Sequence, residues 1–420
     1  MLINPVEDWN VDDRQENIHA WLGDLERIEE IQVSPDGDKV AALFVSADDT
    51  TRICVNGHIW EHDFTRIWYP RFSPDNRLTV LASDGESWTL LVEDQPWESR
   101  FDYAWNTVFS KDGKHISLVF QNQGTYGIAL NDRPWDTVFP GIGHMVMSQD
   151  GSKTAAAVQV DRIIEGDIFA FQKGVFSAAL DGHVWPQNFV NVWDPVFNCD
   201  GTGVAAAVRL NLYDYTVAVN GIFWPRPFEC VWKPCFQPGT LNVVAPVRLG
   251  QRWTMARNGD LFWKNTYFQL WHPEFSPDGS RLAAIVAPSF GTWSISVDDR
   301  LWNLRHFDAI TGLTFSPEGS RIAAVGMNNG KQTLIYDETS CRHFCDRVWP
   351  PVFSPDGRHL AAKIQINGRY TILLDGTLWK SDYETLWDPV FDNKGEKLMI
   401  RALDQGVYHK HIVALNAFTT

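Results

Sequence analysis

The chain has 420 residues, 44% of them hydrophobic, and a formal net charge of −16 from 52 acidic against 36 basic side chains. Such acidity argues against nucleic-acid backbones and anionic lipid as general partners, and no run of 18 apolar residues offers a membrane helix. Six cysteines are too few for a disulfide scaffold, so a reducing cytoplasm is expected.

Residues 1–18 carry Glu7, Asp8, Asp12 and Asp13 and read as an acidic, non-repeating extension without the basic start of a secretory leader. Residues 19–420 read as one repeat array. Its apolar anchors are Val33, Phe72, Phe109, Met147, Phe197, Phe236, Phe275, Phe315, Phe353 and Phe391, spaced 37 to 40 residues apart except for one gap of 50. A period of this size signals stacked supersecondary units, each too small to bury a core alone.

The unit starting at Trp271 shows the plan best. Trp271, Pro273 and Phe275 alternate, which predicts one shared face on a first strand. Ser276-Pro277-Asp278-Gly279 then reverses the chain, with Pro presetting φ and Gly supplying φ > 0. A second strand is expected at 282–286 and a third at 292–297, and Asp298-Asp299 turns into a fourth around Trp302. Asn76 replaces Gly in one copy and Glu318 replaces Asp in another, while Gln237-Pro238-Gly239-Thr240 moves the Gly and predicts a different turn. Pro70, Pro195, Pro234, Pro273, Pro351 and Pro389 stand two residues before their anchors, which makes the first strand an edge strand.

Tryptophan marks two further repeat positions. One lies twelve residues before the next anchor, at Trp21, Trp60, Trp97, Trp135, Trp185, Trp224, Trp263 and Trp379, with Trp302 thirteen before. The other lies four before, at Trp68, Trp105, Trp193, Trp232, Trp271, Trp349 and Trp387. Both rows, and the off-register Trp88, Trp253 and Trp293, are expected to pack between blades, because buried aromatic area joins stacked sheets. Unit eight lacks both Trp positions.

Ten repeats of four antiparallel strands predict an all-β chain, a β-propeller of ten blades. A single ring is favoured, with two five-bladed rings as the alternative. The tenth unit runs out after three strands, so an N-terminal strand near Trp21 is expected to close it. The long gap between Met147 and Phe197 predicts an inserted loop at 163–175.

Catalytic signatures are missing: there is no Gly-x-Ser-x-Gly elbow, P-loop, dinucleotide fingerprint or His-Glu-x-x-His. No catalytic, cofactor-binding or metal-binding residue is assigned, and the chain is read as a non-enzyme without cofactors. Cys341-Arg342-His343-Phe344-Cys345 places three ligand types at alternate positions of a strand, yet lacks a fourth zinc ligand. Cys230 and Cys235 fit no haem or iron–sulfur spacing. His58 with His62 read as surface or packing groups, as do His409 and His411, whose alternation points them the same way. The acidic pairs Asp48-Asp49 and Asp298-Asp299 read as turn residues.

The Ser-Pro-Asp-Gly blocks resemble TolB-type propeller repeats, relatives of WD repeats, over about 33–403. Together with the double-Trp signature and the Val-Asn-Gly-x-x-Trp hairpins, they resemble the tryptophan-rich cytoplasmic subunit of the transmembrane redox complex of sulfate-reducing bacteria. That resemblance implies a non-catalytic, cofactor-free scaffold subunit in sulfate respiration. Its partners would be a cytoplasmic iron–sulfur subunit and a membrane cytochrome b, in an assembly that includes a periplasmic multihaem cytochrome. It would lie in the cytoplasm, peripheral at the inner face of the membrane and held there only through those partners. The alternative is a carbohydrate- or small-ligand-binding propeller that uses the repeated Trp side chains.

Overall fold

The computed structural model describes residues 9–10, 13–22, 27–45, 50–62, 64–163, 167–304 and 306–418. Among them are ten antiparallel sheets and very little helix, the fold of a ten-bladed β-propeller. The blades are numbered one (27–59), two (66–96), three (103–134), four (141–184), five (191–223), six (230–261), seven (269–301), eight (309–340), nine (347–378) and ten (385–414). No helix among the described residues is long and apolar enough to cross a membrane.

Local chemistry dictates each blade. In blade seven, Gln269–Phe275 pairs with Leu282–Ser289, which pairs with Thr292–Val297, which pairs with Arg300–Leu301. The first strand is an edge, as its proline requires. At its turn the Ser276 hydroxyl donates to Asp278 Oδ1 at 2.6 Å and accepts from the Arg281 amide at 3.0 Å. Asn76 indeed takes a positive φ of 67°, and Glu318 accepts from Ser316 in place of Asp. In blade six the turn differs as expected: the Thr240 amide, not a Gly amide, closes onto the Gln237 carbonyl.

The outer hairpins follow a rule that sequence reading missed. Both turn residues have positive φ in nine blades, as at Asn220 (49°) and Gly221 (83°), the two-residue turn that matches strand twist. The first of them, Asn or Asp in eight blades, reaches back to the amide that opens the second strand. Asn220 Oδ1 accepts from Val204 and Asp298 Oδ1 from Leu282, both at 2.8 Å.

Three expectations need correction. Trp271 and Phe275 do not share a face. A β-bulge between Trp271 and Glu274, with His272 at φ 53°, inserts one residue and flips the pattern, so Leu270 joins Phe275 in the core and Trp271 turns outward. The insertion at 163–175 is not simply a loop, because Ile168–Lys173 is helical; residues 164–166 lie outside the described set. An N-terminal strand does close blade ten, but it is Asp13–Asn17, earlier in the chain than Trp21, which sits on the short helix His19–Leu22.

The blades divide between two compact units of five. Residues 101–306 hold blades three to seven, each packed on the next through apolar faces such as Val217, Val231 and Val247 between five and six. Residues 1–100 with 307–420 hold blades eight, nine, ten, one and two. There Asp13–Asn17 completes blade ten by pairing with Val407–Ala414. Blade ten packs on blade one: Tyr408 Oη donates to the Gly37 carbonyl at 2.9 Å, and Arg401 Nη1 to the Ser34 carbonyl at 2.7 Å. Two rings made from sequential halves would instead seat blade five on blade one.

Candidate functional site

The first Trp row is structural in its surroundings. Trp97, Trp135, Trp185, Trp224, Trp263, Trp302 and Trp379 are buried, and Trp21 and Trp60 are half-buried. Where the next outer hairpin carries Gly, the indole lies beneath it: Trp135 under Gly182, Trp185 under Gly221, Trp224 under Gly259 and Trp21 under Gly57. An aromatic eight residues before the anchor meets it edge-on, as Phe139 meets Trp135 at 6.2 Å and Phe189 meets Trp185 at 6.3 Å. This third row, including Phe101, Phe228, Tyr267, Phe307 and Tyr383, was legible as a repeat and was overlooked.

That pairing explains the cysteine motif. Cys341 stands twelve before Phe353 and Cys345 eight before, so the two thiols occupy the places of a Trp and a Phe in the crossing from blade eight to blade nine. They do not lie on one strand with His343. Burial pushes the Cys345 thiol up to about 11, with Cys341 adding to the shift. Burial likewise pushes Cys235 up to about 11 and raises Cys230.

The histidine pairs are placed as follows. His409 and His411 stack at 5.7 Å and 17°, and His411 Nδ1 lies 2.6 Å from Asp13 Oδ1 across the closing pair of strands. Burial lowers His409, and the neighbouring His411 adds to this. His62 lies 3.1 Å from Asp94, while His58 is exposed on a fourth strand. Asp299 accepts from the Lys264 amide at 2.8 Å, a clasp between adjacent blades. Asp48 and Asp49 lie outside the described residues. No group of three His, Cys, Asp or Glu among the described residues is placed to hold a metal ion.

The second Trp row behaves differently. Trp105, Trp193, Trp349 and Trp387 are half-buried, whereas Trp68, Trp232 and Trp271 are 40%, 46% and 42% exposed. The bulge that breaks the first strand turns these indoles away from the core. Each leans on an aromatic at the start of the third strand: Trp68 on Trp88, Trp193 on Tyr215, Trp232 on Trp253 and Trp271 on Trp293. Trp232 and Trp271 line a groove of about 610 Å³ along the first strands of blades five, six and seven, with Asp194, Lys233 and His272 on its walls.

A second exposed feature lies where the second strand turns into the third in unit 101–306. Phe169 is 78% exposed in blade four, Tyr213 80% in blade five and Phe290 81% in blade seven. Because every blade runs its strands in the same order, these turns fall at the same end of their sheets.

No family model matches the chain, and no curated protein does. Similar solved structures include the crystal structure of the eukaryotic initiation factor, at 11% identity over 82% of this chain and 94% of that one, with a TM-score of 0.47. The Dos1 propeller matches at 10% identity over 91% of this chain and 92% of that one, with a TM-score of 0.36. The Myceliophteria thermophila Cps50 (Swd1) β-propeller domain matches at 12% identity over 65% of this chain and 98% of that one, with a TM-score of 0.31. At such identities and scores they carry no argument about partners, and the resemblance to a redox-complex subunit gains no support from them.

Proposed function

We propose that the chain is a non-catalytic interaction scaffold. The observation that carries this reading is the exposed apolar end of unit 101–306, where Phe169, Tyr213 and Phe290 stand almost fully in water. Large apolar side chains exposed on the same end of several sheets offer a partner points to cover. The rigid blades behind them hold the loops in place without needing them for stability.

The partners we propose are an iron–sulfur subunit and a cytochrome b of a membrane electron-transfer complex. The chain would sit in the cytoplasm at the membrane's inner face. The double-Trp repeat and the Val-Asn-Gly-x-x-Trp hairpins support that choice. Carbohydrate binding is the second reading; it has the exposed Trp232 and Trp271 in its favour, but the buried first row cannot take part.

The test is affinity purification of tagged protein from native membranes, with bound subunits identified by mass spectrometry. Recovery of both named subunits, lost in a Phe169→Asp/Tyr213→Asp/Phe290→Asp variant with unchanged thermal melting, is the expected result. Stoichiometric haem, flavin or iron in the isolated chain would remove the scaffold reading. Failure to recover either subunit would remove the redox-complex assignment.

A further inference from the structure

The repeat shows, at one of its own copies, what a second-row indole binds. In blade nine the Arg347 guanidinium lies 4.8 Å and Lys363 Nζ 4.6 Å from the Trp349 ring centre. Lys363 is held there by Asp388 at 3.1 Å, a residue that follows the next blade's Trp and precedes a proline. In blade five the Arg209 guanidinium lies 5.3 Å from the ring of Tyr215, which stacks on Trp193. A cation over an aromatic face is attracted by the ring quadrupole, most strongly over Trp.

Blades six and seven keep the indole and carry no cation at the Lys363 place; in blade six Arg248, at the ladder position of Arg209, lies 3.7 Å from Glu229. The Trp349 amide donates to the Lys363 carbonyl, and the Trp232 amide donates to Pro246 in the same way, so Pro246 stands where Lys363 stands. Opposite Trp271 the ladder carries Ile285. Trp232 lies parallel to the buried Trp253, at 5.4 Å and 10°, and is itself 46% exposed where it lines the groove. Asp194, which also follows a Trp and precedes a proline, supplies a carboxylate to the same groove.

We propose that this groove binds the guanidinium or ammonium group of a basic segment on a partner protein, held against the exposed Trp232 ring with Asp194 as counter-charge. The acidic chain, at −16, favours approach of such a segment. Lys233 on the groove wall works against it, so removing that charge tightens binding.

The probe is a dansylated hexa-arginine peptide followed by fluorescence anisotropy, with hexa-glutamate and cellobiose as alternatives. Hexa-arginine is expected to bind. Trp232→Leu weakens it about tenfold, Trp232→Phe by less, as cation–π strength predicts. Asp194→Asn weakens it and Lys233→Ala strengthens it. Thermal melting of each variant confirms folding, and Trp232→Phe keeps the test open if Trp232→Leu does not fold. Binding that is absent, indifferent to Trp232, or replaced by binding of cellobiose at the same residues overturns the proposal. The peptide experiment needs no native partner, so its failure leaves the apolar docking end standing, and the reverse also holds.

Discussion

The wholly buried Ser276 hydroxyl serves two groups at once: it donates to Asp278 and accepts from the Arg281 amide. Hydrogen bonds from Ser276 first, and then from Ser280, hold the Asp278 carboxyl down to about 2, and the same arrangement around Ser148 holds Asp150 down to about 2. A depressed folded value means these turns contribute stability above the ordinary carboxylate range, and that contribution is lost as pH falls toward 2. Ser276→Ala should therefore raise the Asp278 titration, read by carboxyl NMR, and lower stability by about 1 kcal/mol through the amide left without its acceptor. The thiols give a second residue-level outcome. With Cys235 and Cys345 pushed up to about 11, almost no thiolate exists at pH 8. Brief iodoacetamide treatment of the folded chain should label the exposed Cys199 and spare Cys235 and Cys345, as peptide mass spectrometry would show.

At the scale of one blade, the turn signatures were legible because a tight turn imposes its backbone on the sequence. Ser-Pro-Asp-Gly and Asn-Gly can hardly mean anything else. The bulge was not legible, because His272, Asp194, Asn106 and Tyr69 adopt left-handed φ without a glycine to announce it. One unannounced residue sends the second Trp row outward, which is why the exposed groove escaped a reading based on alternation. Likewise, the shared strand expected for Cys341, His343 and Cys345 is absent, and the register of the two thiols, twelve and eight before Phe353, is what carries their packing role. The outer hairpin offers the sharpest test of blade packing. A Cβ on Gly221 would lie 3.0 Å from Pro186 and 3.1 Å from Trp185, at a φ of 83° that L-residues rarely adopt. Gly221→Ala should cost about 1–3 kcal/mol from strained φ, with further loss as Trp185 shifts, whereas Asn220→Ala removes one side-chain bond and places Ala at the milder φ of 49°, with no clash. Denaturant titration of the two variants should rank them in that order.

At the scale of the whole chain, the last blade depends on the first residues. Asp13–Asn17 pairs along Val407–Ala414, and Ile18 follows it into the core beside Phe44 and Tyr408. Arg401, Tyr408 and Lys410 then bind the turn at 34–38 of blade one. Burial pushes the Tyr408 hydroxyl well above its ordinary value, so it stays a donor to Gly37 across the working pH range. A stretch that reads in sequence as an acidic, non-repeating extension thus pairs along an eight-residue strand that would otherwise be an edge. Deleting residues 1–18 removes about five ladder bonds, on the order of 5 kcal/mol at ~1 kcal/mol each, and uncovers an edge able to pair with other chains. The truncated chain should melt lower and form concentration-dependent oligomers on size exclusion. A synthetic peptide spanning 9–22, added in trans, should restore the monomer by strand addition. If truncation left melting and oligomeric state unchanged, the tie between blade ten and blade one would have to rest on Arg401, Tyr408 and Lys410 instead, and Tyr408→Phe would then be the variant that loosens it.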